Sequence, residues 1–212
     1  MWERLARAGC ASVAAMSLSS VAAAQTPVQT PSVTVCLVLA PKLAIESPVA
    51  KAMLTEVQAI WKALGVVIRP GEQSDGSCAR LIVVKADHEA LPEDASHEDA
   101  LGWVPFAAGQ ARQLVFLRVS RARLLIAGVL TGVNPDGLKN LMLAKLLGRI
   151  VAHELGHVLL NSQTHADSGL MRAHYRANDV LRVHASTYTL NTAERARLFT
   201  NLAAGSRLAI RQ

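Results

Sequence analysis

Dense basic clusters are missing from this chain. Its formal net charge is +6, yet Arg118, Arg121, Arg123, Arg172, Arg176, Arg182, Arg195 and Arg197 are scattered along it. Aromatic residues make up only 4% of the sequence, and no Lys/Arg run has aromatic neighbours. A nucleic-acid surface needs its cations gathered on one face or stripe, so no nucleic-acid partner is expected and the charge reads as a solvated basic surface. Long apolar runs are missing as well. The longest, Ala8 to Ala24, is too short and too rich in Ser and Ala to span a bilayer. No internal repeat is present. Cysteine occurs three times, and Cys10 has almost no apolar stretch before it, which argues against a lipid-acceptor role.

What is present begins with a short basic start, Trp2 to Arg7, followed by that apolar run and by Ala22-Ala23-Ala24 before Gln25. This is the pattern of a secretory signal peptide cleaved near Ala24, and it implies a secreted or periplasmic protein with no membrane span. Residues 25–32, rich in Pro, Thr and Gln, read as a flexible leader. Residues 33–212 are then a single domain, long enough for its own core.

The domain opens with a buried strand, Val33 to Leu39, between Pro31 and Pro41. Ser47-Pro48 starts a helix with proline in its first turn. Val49, Ala52, Met53, Val57, Ile60, Trp61 and Leu64 form its apolar stripe, and Gly65 ends it. Val66 to Arg69 and Arg80 to Lys85 read as further strands. Strand, helix, strand, strand is the order of an α/β layer. Asp87 to Asp99 is an acidic loop; calcium would need several oxygen ligands at once, so a solvated loop is the better reading, with His88 and His97 on the surface. Residues 101–106 and 113–119 flank a glycine turn like a hairpin, and Pro105 confines the first run to a sheet edge. Ser120 to Leu130 reads as a helix. Asn191-Thr192-Ala193-Glu194 is a capping box before a C-terminal helix.

The chemistry lies in His153-Glu154-Leu155-Gly156-His157. The run before it, Leu138 to Ala152, has no proline and repeats Leu143, Leu147, Ile150 and Val151 at helical steps. Asn134-Pro135-Asp136-Gly137 is a plausible helix start. On a helix, His153 and His157 stack on one face, and two imidazoles at that spacing can hold one Zn²⁺. Glu154 is rotated off the pair but close enough to take a proton from a polarised water.

After the motif come His165 and then Ser168-Gly169-Leu170-Met171. Together these residues resemble the metzincin clan of zinc endopeptidases, whose pattern is H-E-x-x-H-x-x-G-x-x-H followed by a methionine-containing turn. Leu160 stands at the family's glycine position and Gln163 at its third-ligand position. Asn161 is the next best residue for the left-handed helix end. The resemblance implies an α/β (α+β) zincin-like catalytic domain: a mixed, mostly parallel sheet with an antiparallel edge strand, a long active-site helix and a C-terminal helix. It implies a zinc metallopeptidase with Glu154 as general base and His153, His157 and His165 as metal ligands. Asp167, Glu194 and His174 remain alternatives to His165, Asp167 more naturally as a hydrogen-bond acceptor behind a ligand histidine. Met171 would floor the metal. A tyrosine near the turn has a partial analogue in Tyr175, though at the wrong spacing. Residues 102–106 would be the strand that pairs with extended substrate. A peptide or protein is the substrate class, and a monomer is expected. Loss of Cys10 with the signal leaves two thiols in an oxidising compartment, and in metzincin-like sheets the strands near Cys36 and Cys78 are neighbours, so a Cys36–Cys78 disulfide is expected. Two other readings stay open: a non-catalytic metal- or partner-binding protein, and zinc hydrolysis of a non-peptide bond.

Overall fold

The structure is a computed structural model that describes residues 33–71, 78–87, 100–130, 132, 136–174 and 184–209. Residues 1–32, where a signal peptide and leader are expected, Asn134-Pro135, most of the acidic loop with His88 and His97, and Tyr175 lie outside the described residues.

Seven strands and four α-helices are laid out in chain order among the described residues. β1 (Val33–Leu39) leads through a short 3-10 turn into α1 (Ser47–Ala63), and then come β2 (Val66–Pro70) and β3 (Arg80–Ala86). β4 (Gly102–Trp103), β5 (Phe106–Ala107), β6 (Gln110–Ala111) and β7 (Leu114–Leu117) follow. The helices α2 (Val119–Val129), α3 (Asp136–Leu160) and α4 (Thr192–Ala209) complete the chain. The main sheet has the order β2-β1-β3-β7-β4. Its first four strands run parallel, and β4 runs antiparallel to β7 at the edge, pairing Gly102 with Leu117 and Trp103 with Phe116. A mixed α/β fold with a mostly parallel sheet and an antiparallel edge strand is thus present.

Strand alternation sorts the side chains between two faces. Val35, Leu37, Ile82, Val84, Val115 and Leu117 join one continuous core with Met53, Val57, Ile60 and Trp61 of α1 and Leu147, Val151, Leu155 and Val158 of α3. Cys36, Trp103 and Phe116 are buried but stand apart from that core. There Trp103 stacks on Phe116 at 5.1 Å, and Cys36 is bonded to Cys78 with the Cα atoms 5.7 Å apart. The disulfide joins β1 to the segment entering β3, and these two strands pair in parallel register.

Local signals place most element ends. Pro48 lies in the first turn of α1, and Gly65 takes φ 81° just past its end, where a side chain would be strained. The capping box is formed: Asn191 N–H donates to Glu194 Oε2 at 2.8 Å, and Glu194 N–H donates to Asn191 Oδ1 at 2.9 Å. The expected hairpin of 101–106 with 113–119 is corrected by the structure. Only Gly102–Trp103 pairs with β7, while Phe106–Ala107 turns back on Gln110–Ala111 as a separate two-stranded ladder. Pro105 has no N–H to extend the first ladder, so the edge strand stops before it, and the carbonyl of Pro105 instead accepts the Arg112 N–H at 2.9 Å. No helix among the described residues is long and apolar enough to cross a membrane.

Candidate metal centre

α3 brings the motif into the core on a helix of 25 residues. Its last fifteen residues, from Leu146 on, are buried almost throughout, and His153, Glu154 and His157 are among them. The helix stops at Leu160 because Asn161 adopts φ 47°, the left-handed conformation that asparagine tolerates best after glycine. The chain then doubles back. Ser162 N–H donates to the His157 carbonyl at 3.1 Å, and Ala166 N–H donates to the Met171 carbonyl at 2.8 Å. Met171 comes to rest against Gly156 of the motif, fully buried. A Cβ at position 156 would collide with the Met171 thioether, so this glycine is what lets the turn close under the helix.

The return loop brings His165 to the other two histidines. The ring centroids are 4.8 Å apart for His153 and His157, 5.3 Å for His153 and His165, and 4.9 Å for His157 and His165. One potential ligand atom from each lies within 4.8 Å of the others, so the three could hold a metal ion. The tautomers follow from the partners. His153 Nδ1 lies 2.8 Å from the Leu170 carbonyl, and His157 Nδ1 lies 2.7 Å from the Ser162 carbonyl. A carbonyl can only accept, so both Nδ1 atoms carry the proton and donate it. Both Nε2 atoms are therefore unprotonated when the rings are neutral, and they lie 3.1 Å apart.

Neutral is the state that burial enforces. Burial, reinforced by the neighbouring His157, lowers the pKa of His153 to about 3, against the partial opposition of the Leu170 hydrogen bond. Burial likewise lowers His157 to about 4, and it lowers His165 as well, with a further push from His174. Two lone pairs in contact repel unless a cation sits between them. Tetrahedral bonds of about 2.0–2.1 Å to zinc separate ligand nitrogens by roughly 3.3 Å, close to the 3.1 Å found. The donor set therefore fits a divalent, imidazole-loving ion. His165 is exposed, so the cluster opens toward solvent on that side.

Glu154 is buried and its carboxyl is raised to about 8 by burial. The edge strand covers it: a Cβ added to Gly102 would stand 3.2 Å from Glu154 Cγ and 2.6 Å from Ile150 Cγ2. Of the other candidates, Glu194 is engaged in capping α4. His174 lies near enough to His165 to influence its protonation, but it is not part of the three-histidine group. Asp167 is exposed. Its expected place behind a ligand histidine is corrected for His153 and His157, whose Nδ1 protons go to backbone carbonyls. In a turn this tight, main-chain oxygens reach the rings before a side chain can.

Sequence reasoning missed the support behind the site. Arg149, one turn before His153, donates from Nε to Glu56 Oε1 of α1 at 2.8 Å, and its guanidinium lies 5.1 Å from the Tyr188 ring centroid. Thr189 follows Tyr188, and its carbonyl accepts the Leu170 N–H at 2.8 Å. The residue that orients His153 is thus itself held by the segment before α4. A basic residue set among Leu146, Leu147, Ile150 and Val151 was the available signal for this pair. A mid-helix glycine inside the motif was the signal for the Met171 contact.

Compared with known proteins, the chain matches no family model, no curated protein and no solved structure.

Proposed function

We propose that the protein is a zinc-dependent endopeptidase built as a metzincin-like zincin and exported from the cytoplasm. The observation that carries this reading is the grouping of His153, His157 and His165, with the first two Nε2 atoms 3.1 Å apart and a buried glutamate next in sequence. His153, His157 and His165 would hold the ion, each of the first two fixed in ring angle by a backbone carbonyl. A bound zinc supplies Lewis acidity at a carbonyl oxygen and a water that ionises near neutral pH.

The chain's own residues do the rest. A divalent cation held beside it would favour the ionised form of Glu154, whose carboxylate oxygen would then receive the proton of the attacking water and return it to the leaving amine. Met171 and Leu170 floor the cluster and exclude water from below; both are fully buried. The antiparallel edge strand β4 packs on Glu154 and offers an extended peptide a strand to pair with. This edge is what favours a peptide over a non-peptide bond. The Cys36–Cys78 disulfide suits an oxidising compartment, consistent with a secreted or periplasmic site of action.

The test is Glu154→Gln beside wild type, each loaded with zinc and offered an unfolded protein substrate. Hydrolysis is expected in wild type and a loss of about 10²–10⁴-fold in the variant, with zinc content unchanged. Zinc binding without hydrolysis by wild type would leave a non-catalytic metal protein as the reading.

A further inference from the structure

The residue that ends the active-site helix has a side chain that helix termination does not require. Asn161 supplies the left-handed backbone, and glycine would do that alone with less strain. Its amide is used elsewhere. Asn161 Oδ1 accepts the Ala111 N–H at 2.8 Å, and Asn161 Nδ2 donates to Gln110 Oε1 at 3.0 Å. Ala111 and Gln110 form β6, one arm of the small hairpin with β5.

That hairpin continues directly from β4, whose Gly102 packs on the Glu154 side chain. The stretch 102–111 is therefore fastened to α3 at two levels, Glu154 and Asn161. Seven residue steps separate them, about 10 Å along the axis, and His157 lies between. The same asparagine also starts the turn that delivers the Ser162 carbonyl to His157 Nδ1 at 2.7 Å. One side chain thus ties the hairpin to the backbone that orients a metal ligand.

We propose that Asn161 is a positioning residue that fixes the 106–111 hairpin as one wall of the substrate cleft, in register with His157. This rests on the peptidase reading above. The wall faces the part of an extended peptide that runs past the metal cluster toward the C-terminal end of α3. Residues Ala107 to Gln110 at its tip are exposed, so they are free to meet that peptide. Without the amide the hairpin keeps its own ladder and the Arg112–Pro105 bond, but loses its fixed distance from the helix.

The decisive variant is Asn161→Gly in the full chain, loaded with zinc. It keeps the left-handed conformation and deletes both side-chain bonds. Zinc stoichiometry and kcat are expected to stay within about twofold of wild type. The apparent KM for an unfolded, fluorescently labelled protein is expected to rise about 3–10-fold, the equivalent of one or two hydrogen bonds. Amide exchange at Ala111, read by NMR on the same samples, should accelerate by a similar or larger factor. Asn161→Asp keeps the acceptor for Ala111 and should preserve its slow exchange, and Gln110→Ala, an exposed change, should do the same. Unchanged exchange at Ala111 in Asn161→Gly overturns the clamp. Faster exchange with an unchanged KM overturns the wall, and loss of zinc in Asn161→Gly while Asn161→Asp retains it assigns the residue to the metal instead. Wild-type protein that binds zinc and cleaves nothing defeats the peptidase reading and with it the wall, and the exchange measurement then decides the clamp by itself.

Discussion

Two buried ionisable groups sit little more than one turn apart on α3, and they are treated in opposite ways. Arg149 is 4% exposed and fully engaged: its Nε–H donates to Glu56 Oε1 at 2.8 Å, and Tyr188 lies under its guanidinium. Glu154 is 5% exposed, and burial is what moves its pKa, with no opposite charge among the described residues pulling it back. A paired buried charge is a structural commitment, since breaking it strands the partner in the core. A buried carboxyl without a cation beside it is costly to ionise, and on the peptidase reading proposed above it is the group that exchanges a proton with the attacking water. The same helix therefore carries one group that holds the framework and one that is kept available.

The largest effect should come from breaking the paired group. Arg149→Ala is expected to lower stability by about 3–5 kcal/mol by leaving Glu56 unpaired. Chemical denaturation measures it, and Arg149→Met with Glu56→Leu should recover most of the loss. In contrast, Glu154→Gln should leave stability near or slightly above that of wild type. A loss as large as that of Arg149→Ala would erase the distinction.

The floor of the cluster comes next. Gly156→Ala forces Met171 out of place at an overpacking cost of about 1–3 kcal/mol, which exceeds the roughly 1 kcal/mol that alanine gains over glycine in a helix. Tm should fall, and adding Met171→Val should restore part of it. An unchanged Tm would mean that the turn is looser than the contact implies.

The proposed metal ligands sharpen the functional half. His165→Ala is expected to lose most of its zinc after dialysis at near-neutral pH, whereas Asp167→Asn should retain it, read by elemental analysis. The reverse outcome would replace a three-histidine site with an aspartate-ligated one.

The smallest effect is the pH dependence of the metal-free protein. His153 and His157 have folded pKa values near 3 and 4 against 6.5 unfolded, so their contribution is present above about 6.5 and is lost as pH falls toward 4 and 3. Glu154 is the mirror case: its folded value is near 8 against 4.5, so its contribution is present below 4.5 and is lost as pH rises through 8. Two histidines outweigh one glutamate on the acid side, and Glu154 alone acts above 6.5. Chelator-treated protein should therefore show its highest Tm near pH 6.5. Glu154→Gln should abolish the alkaline decline and leave the acid one.

Amino-acid order by itself determined the periodic elements: the β-branched strands β1 to β3, the proline-started α1, the capping box of α4, and the i, i+4 histidines. Each depends on neighbours a few residues apart, within the reach of backbone geometry. Asn161 was legible for the same reason, since the left-handed helix end is a local requirement. Only the tertiary structure decided the rest. Pro105 marked an edge in the sequence, but the split of 102–111 into two ladders depended on where β7 and Asn161 stood to receive it. The Glu56–Arg149 pair and the Gly156–Met171 contact join residues that only the packing of α1 and the return turn on α3 brings together. Which carbonyls orient His153 and His157, and that His165 closes the cluster, followed from the path of the loop after Leu160. Spacing along the chain limits what such a loop can reach; the contacts made by both its ends fix where it goes.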